Sequence, residues 1–125
     1  MNRSYFYWFS TVLLSLLYLT SATFYITQGE KVRQAFEALG YPTYLIPVLI
    51  AVKILAVVAV VSRFRVALSD LAYAGMFFHL LLAISAHVNA GEGIGSVPAV
   101  VGLCLLFSSF FTQNYARANK SPYLA

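Results

Sequence analysis

The sequence predicts an all-α protein, a membrane-spanning four-helix bundle with a short amphipathic surface helix between helices 1 and 2. The 125 residues are 61% hydrophobic and 10% charged, whereas a soluble domain carries about 25% charged residues. The mean hydropathy is +0.79. Apolar runs recur that approach the ~20 residues a helix needs to cross a bilayer core. The lipid bilayer is therefore the expected partner of a single integral membrane domain over residues 1–125.

The first predicted span covers residues 5–26 and follows Arg3. A cation, an apolar run and the small residues at 20–22 are also features of a cleaved signal peptide. The apolar run is longer than the core of a typical signal peptide, because it continues to Ile26. We therefore favour a retained helix.

The surface helix is predicted over residues 30–39, the only extended polar segment. Its apolar residues recur at i, i+3, i+4 and i+7, which aligns them on one helix face: Val32, Ala35, Phe36 and Leu39. Gly40 favours a left-handed stop, and Pro42 prevents continuation. A structural lid is the favoured interpretation. In the alternative, the helix is a gate over the bundle, with Glu30 and Glu37 as candidate gate or ion-pair partners.

Three further spans are predicted at residues 44–62, 71–90 and 97–112. Pro47 and Pro98 fall in first turns, where a missing N–H group costs little. A polar hairpin over residues 63–70 separates the second span from the third. Ser69 or Asp70 is expected to cap the third span, because short polar side chains accept hydrogen bonds from the first backbone N–H groups.

The distribution of cations favours both termini in the cytoplasm, in a bacterial inner membrane. That side would hold Arg3, Arg63, Arg65, Arg117 and Lys120, and the other side Lys31 and Arg33. The net charge is +4, but the cations stand singly or in pairs at the ends of apolar runs. Since nucleic-acid binding needs a basic patch or stripe, no nucleic-acid partner is expected.

Ionisable residues inside the second and third spans mark the predicted polar centre. Lys53 and His79 each lie near the middle of a span, and the two spans are antiparallel neighbours. His87 lies ~12 Å of helix rise nearer the outer surface. The third span also has a face of small residues, which lets membrane helices pack closely: Ala72, Gly75, Ala83, Ala86 and Ala90. His79 shares that face and should point into the bundle.

Ionisable residues in a span are expensive and therefore suggest a functional site, so Lys53, His79 and His87 are the ligand-binding candidates. Two roles for Lys53 remain open. It could pair with a hydroxyl, a carbonyl or a carboxylate such as Glu92 and fix helix packing. It could instead anchor an anionic or carbonyl-bearing lipophilic ligand such as a quinone head group.

A metal site is not expected, because two histidines eight residues apart on one helix cannot reach one ion with ligand bonds of ~2.0–2.1 Å. Cys104 is the only cysteine, which rules out an intrachain disulfide, and we expect a buried small hydrophobe rather than a nucleophile. No intrinsic cofactor is expected, although quinone remains a candidate ligand.

Several separated motifs between about residues 30 and 95 resemble the DoxX-like family of small four-helix membrane proteins: Gly40-Tyr41-Pro42, Lys53-Ile54-Leu55, Ala72-Tyr73-Ala74-Gly75 and Ser85-Ala86-His87 with Gly91. The resemblance implies polar residues at Lys53 and His87, whereas the family more often has another residue in place of His79. Some relatives are linked to membrane redox systems, including thiosulfate–quinone oxidation. The lone cysteine excludes an intramolecular thiol relay.

The preferred hypothesis is an accessory or anchor subunit of a quinone-linked membrane redox system, with a redox subunit as partner. A second hypothesis is a small membrane enzyme or carrier for a lipophilic ligand, which predicts a ligand-sized cavity beside Lys53 and His87. A third is a purely structural membrane protein that acts as a homo-oligomer. Whether the protein is catalytic stays open.

Overall fold

The structure is a computed structural model, and it describes residues 3–91 and 93–124. The described chain is helical, with no strands, and has these elements: α1 (Arg3–Thr27), α2 (Gly29–Leu39), α3 (Leu45–Ser62), α4 (Val66–Asn89), a 3₁₀ turn (Gly93–Ser96) and α5 (Val97–Ala116). The predicted all-α fold class is confirmed.

Four helical segments of the described chain are long and apolar enough to cross a membrane: Arg3–Thr27, Leu45–Ser62, Val66–Asn89 and Ile94–Ala116. Only 22–28% of the most apolar window of each is buried inside the protein. Most of their apolar side chains therefore face outward, where lipid is the solvent that covers them without cost. The protein is an integral membrane protein.

The four long helices form a bundle in which α1 and α4 each pack mainly against α3 and α5. Since neighbours run antiparallel, α1 begins, α5 ends and α3 turns into α4 at the same end of the bundle, which we call the terminal end. The opposite end carries α2 and is called the α2 end. The shared core lies between the helices: Leu14, Tyr18, Val57, Val60, Tyr73, Met76, Leu80, Ala99 and Leu106.

The surface helix forms as an amphipathic helix, α2. Val32 and Phe36 are its buried residues, and the Phe36 ring packs edge-on against Tyr25 of α1 at 5.9 Å between centroids. Gly40 ends the helix at φ 81°, a left-handed conformation that glycine adopts without steric penalty. The Tyr41 N–H group donates to the Phe36 carbonyl, so the end of α2 is capped.

The predicted cap of α4 is wrong. α4 begins at Val66, after an extended Arg65, so Ser69 and Asp70 lie inside the helix rather than before it. The apolar residues from Val66 onward continue the helical pattern of the span, and both polar side chains have other partners. Ser69 accepts from Arg63 at 3.5 Å, and Asp70 accepts from the tail.

The predicted small-residue packing face of α4 is also wrong in part. The buried residues of α4 are Ser69, Tyr73, Met76, Leu80 and Ala86, of which only Ala86 belongs to the predicted face. Gly75 is exposed, and a Cβ atom there would meet nothing within 4 Å. The close approach occurs at Gly102 of α5, where a Cβ atom would lie 2.9 Å from Leu17 Cδ2 and 3.2 Å from Leu80 Cδ2.

Cys104 is exposed, contrary to the expectation of burial. α5 turns Gly102, Leu106 and Ser109 inward, and Cys104 lies on the opposite side of that helix. An apolar run in a membrane helix does not distinguish residues that face lipid from residues that face the core.

Candidate functional site

Lys53 lies in the middle of α3, and only 4% of its surface is exposed. Its Nζ atom donates a hydrogen bond to Ser21 Oγ at 3.0 Å. The ammonium also lies 4.5 Å from the ring centroid of Tyr25 and 5.5 Å from that of Tyr18. Aromatic faces attract cations most strongly where water is excluded. Of the protein partners left open by the sequence, a hydroxyl is therefore present, and two aromatic rings that were not predicted join it.

His79 faces the same region from α4. Its Nδ1 atom and the Tyr18 hydroxyl oxygen lie 3.0 Å apart, and the two rings meet edge-on at 5.7 Å. Tyr18 is 4% exposed, and its side chain joins α1 to the diagonally opposite helix. Because Tyr18 touches both Lys53 and His79, it links the two predicted residues. We call Tyr18, Lys53 and His79 the polar junction.

A cavity of about 400 Å³ lies between the helices towards the α2 end. Its lining includes all three predicted ligand-binding candidates, Lys53, His79 and His87, together with Tyr18 and Ser21. Ligand pockets of small molecules occupy ~300–1,000 Å³ and are mostly apolar with a few convergent polar groups. The volume and the lining both fit that description.

His87 stands at the part of the cavity next to the 3₁₀ turn. A Cβ atom on Gly95 would lie only 2.7 Å from His87 Nδ1, so the absence of a side chain at Gly95 makes room for the imidazole. The turn between α4 and α5 therefore sets the position of His87. Among residues 3–91 and 93–124, no group of three or more His, Cys, Asp or Glu residues is placed to hold a metal ion.

Glu30 and Glu37 are exposed on α2. They line two separate surface grooves, and neither lines the cavity. Their role as gate or ion-pair partners stays a prediction. Glu92, also considered as a partner of Lys53, lies outside the described residues.

The available donors define what the cavity can do chemically. An ammonium has three N–H donors, and one of those on Lys53 is used by Ser21. The other two can donate to an oxygen acceptor, and so can one member of the Tyr18–His79 pair: the Tyr18 hydroxyl if His79 Nδ1 donates to it, or His79 Nε2 if the hydroxyl donates to Nδ1. None of the described carboxylates lines the cavity, so an oxygen-bearing ligand would not be repelled by a fixed negative charge.

Sequence reasoning missed a buried hydroxyl network near the terminal end. Ser109 Oγ lies 2.6 Å from both Thr11 Oγ1 and the Tyr73 hydroxyl. The network links α1, α4 and α5, and its members are almost fully buried. Isolated Ser and Thr residues in apolar runs were the only signal in the sequence, since such side chains bond across membrane helices.

Arg63 was expected as a surface cation, but it is only 3% exposed. The guanidinium donates to Gln113 Oε1 at 2.6 Å and to the Asn119 carbonyl at 2.6 Å. Gln113 is fully buried. Arg63 therefore ties the α3–α4 turn to the end of α5 and to the C-terminal tail, and it does not contribute to the surface charge of that end.

An apolar layer separates the cavity from these terminal-end networks. Leu14 lies between Thr11 and Tyr18 along α1, and Met76 lies between Tyr73 and His79 along α4. Both are core residues with at most 3% exposure. Buried apolar side chains of α1 and α4 therefore lie between the cavity and the described networks at the terminal end.

Comparison with known proteins places this architecture in a family. The DoxX-like family matches residues 9–109, a range that contains the polar junction and His87. No curated protein matches the chain, and no solved structure matches it. A match over most of the chain, with four apolar helices in a bundle, agrees with the motifs around Lys53 and His87. The chain belongs to the DoxX-like family.

Proposed function

We propose that this protein binds the head group of a lipid-soluble quinone in its cavity, and that it is the membrane subunit of a quinone-linked redox system. The single observation that supports the proposal is that Lys53, His79 and His87 line one ligand-sized cavity. These three residues are far apart in the sequence or on one helix, and the fold brings them to the same space.

The chemistry of Lys53 favours a ligand over a purely structural role. Burying an ammonium in a membrane span costs ~2.5–3.5 kcal/mol unless it finds a partner. Its described protein partners are neutral: one hydroxyl and two aromatic rings. A quinone carbonyl accepts a hydrogen bond from the ammonium, and the positive charge stabilises the negative charge that develops on that oxygen during reduction.

Titration of the purified protein with a quinone in lipid nanodiscs tests the proposal. The expected result is saturable binding to the wild type and a loss of about tenfold or more for Lys53→Met, since a hydrogen bond to a charged group is worth ~1.5–3 kcal/mol. Lys31→Met is the matched control, because Lys31 is exposed on α2. Equal affinities for all three proteins, or no saturable binding, would overturn the proposal.

The same cavity also suits a small autonomous carrier or enzyme for a lipophilic ligand, because that hypothesis required a cavity beside Lys53 and His87. The two functions differ in their partner. Crosslinking in native membranes should capture a second protein of different mass if the chain is a redox subunit. Capture of this chain alone, with ligand binding intact, would favour the carrier or enzyme.

We further propose that the terminal end faces the cytoplasm, in a bacterial inner membrane. With Arg63 buried, the cations left at that end are Arg3, Arg65, Arg117 and Lys120, against Lys31 and Arg33 at the α2 end. Such an excess of cations marks the cytoplasmic side. A reporter that is active only in the cytoplasm, fused to the C-terminus, should be active. Activity only of a periplasmic reporter would contradict this orientation.

A further inference from the structure

An arginine at the terminal end is fixed in place by neutral groups. Arg117, the residue after α5, is half-buried. Its guanidinium donates to the Val61 carbonyl at 2.9 Å and to the Tyr7 hydroxyl at 3.4 Å. The same group lies 5.2 Å from the centroid of the Trp8 ring. These contacts join the end of α5 to α1 and α3, and they hold the guanidinium without balancing its charge.

Two more cations lie around the first turn of α1 and the end of α5. Arg3 is exposed, donates to the Tyr115 hydroxyl at 2.5 Å and lies 4.8 Å from the centroid of that ring. Lys120 is exposed, and its Nζ atom donates to the carbonyls of Asn114 and Arg117 at 2.6 and 2.8 Å. These described partners are neutral as well. We call Arg3, Arg117 and Lys120 the basic cluster.

The basic cluster has no matching negative charge in the described part of the terminal end. Asp70 is the one acidic residue that the structure describes there, and its carboxylate accepts from Ser121 Oγ at 2.8 Å. At the α2 end, α2 itself carries two cations and two carboxylates: Lys31, Arg33, Glu30 and Glu37. The surplus of cations in the described chain therefore lies at the terminal end.

Exposed aromatic rings indicate that the basic cluster lies at the depth of the lipid head groups. Trp8 and Tyr115, which the two arginines contact, are 44% and 54% exposed. Such side chains are enriched where the hydrocarbon core of a bilayer meets its head groups. Phe111 lies one turn before Tyr115 on α5 and is 57% exposed. A lipid whose acyl chains cover Phe111 would therefore have its phosphate near the basic cluster.

We propose that the basic cluster binds the head group of an anionic phospholipid such as phosphatidylglycerol. Basic residues beside the ends of membrane helices attract anionic lipids, and a guanidinium presents its N–H groups in a fork that matches the oxygens of a phosphate. Tyr7 and Val61 use two of the five N–H groups of Arg117, so three remain for phosphate oxygens. No residue of the basic cluster lines the cavity, and this inference does not depend on the proposed function.

Quenching of tryptophan fluorescence by brominated lipids tests the proposal, because Trp8 is the only tryptophan in the chain. The protein is placed in bilayers of phosphatidylcholine that contain a small fraction of phosphatidylglycerol, with bromine on the acyl chains of one lipid or of the other. One arginine near an anionic surface contributes about fivefold in affinity. With two arginines, the wild type should favour phosphatidylglycerol beside Trp8 by about tenfold or more at low salt.

Two double variants with the same change in net charge separate a site from general attraction. Arg3→Gln/Arg117→Gln should lower the preference by at least about fivefold. Lys31→Gln/Arg33→Gln is the matched control at the α2 end and should change it by less than about twofold, because these cations lie beside carboxylates on α2. Equal preferences in the two double variants would overturn the proposal.

The wild type alone also decides the proposal, whether or not the variants fold. An increase in NaCl from ~0.1 to ~1 M shortens the screening length from ~10 to ~3 Å and should reduce the preference severalfold. A preference that salt does not change, or no preference at low salt, would overturn the proposal. Inorganic phosphate should displace no more phosphatidylglycerol than chloride does at the same ionic strength. Displacement by phosphate alone would assign the basic cluster to a soluble anion and refute the lipid site.

Discussion

The contacts of Lys53 predict that this lysine contributes almost nothing to folding, although it is buried. Its burial in the span costs ~2.5–3.5 kcal/mol. The hydrogen bond to Ser21 returns ~1.5–3 kcal/mol and so offsets most of that cost, and the two tyrosine rings add cation–π attraction. Replacing a buried charge and its interactions by an apolar side chain of similar volume generally changes stability little. Lys53→Met, which keeps the length of the side chain without its charge, should therefore change the free energy of unfolding by no more than ~1 kcal/mol.

Removal of Ser21, the hydrogen-bond partner of Lys53, should have a larger effect on stability than removal of Lys53 itself. Ser21→Ala leaves the ammonium buried without its hydrogen bond and should destabilise the protein by ~1.5–3 kcal/mol. In the Lys53→Met background the same change should have little effect, so the coupling energy of the double-mutant cycle should be ~1.5–2.5 kcal/mol. Reversible unfolding by a denaturing detergent in mixed micelles, followed by the loss of helical circular dichroism, measures all four proteins.

Two results would contradict this reasoning. If Lys53→Met destabilises the protein by more than ~3 kcal/mol, the lysine holds the helices together. A structural role would then be enough to explain why a lysine lies in the cavity, without a ligand. An equal effect of Ser21→Ala in both backgrounds would show that the hydrogen bond between Ser21 and Lys53 does not contribute to stability.

Two further predictions concern the bundle itself. Gly75→Ala should stabilise the protein by up to ~1 kcal/mol, since it removes a helix-interior glycine in open space. Gly102→Ala should be less stable than Gly75→Ala, because its new methyl group would lie 2.9 Å from Leu17 Cδ2 and 3.2 Å from Leu80 Cδ2 and both side chains would have to move. Thermal unfolding of the pair checks this, and equal shifts would contradict the described packing. Gln113→Leu should destabilise the protein by ~1.5–3 kcal/mol, since it removes a buried hydrogen bond to a charged group, while the bonds from Arg63 to the Asn119 carbonyl remain. Unfolding at the wild-type denaturant concentration would contradict this prediction.

Hydropathy and helical period were sufficient to predict most of this fold. The apolar runs predicted the four long helices, and the spacing of Val32 and Phe36 predicted the buried face of α2. The depth of Lys53 and His79 followed from helix rise and an antiparallel arrangement. Counting along two helices is enough for depth, because the rise per residue of an α-helix is nearly constant.

It was harder to predict which side of each membrane helix faces the core than to predict how deep a residue lies in the membrane. In a soluble helix polar residues mark the outer side, but in these spans both sides are apolar, so Gly75 and Cys104 were assigned to the wrong side. The start of α4 was missed for a related reason. Ser69 and Asp70 are residue types that often cap helices. Their side chains instead accept hydrogen bonds from Arg63 and Ser121, and the contact with Ser121 could not be predicted from the local sequence.

The linking role of Tyr18 had no clear signal either. Tyrosines in membrane proteins are enriched at the interface with water, and Tyr18 is one of nine in the chain. Its contact with His79 joins two helices that are diagonal in the bundle. Such a contact depends on the order of the helices around the core, which the apolar patterns do not specify.

Photoaffinity labelling tests most directly whether the cavity binds a quinone. A tailed quinone with a photoreactive group on its ring is irradiated with the protein in native-like membranes, and the labelled residues are identified by mass spectrometry. Labels should fall on the cavity lining, on residues such as Tyr18, Tyr25 and His87, and excess unlabelled quinone should compete them away. Labels scattered over the lipid-facing surface, unaffected by competition, would contradict a quinone site in this protein.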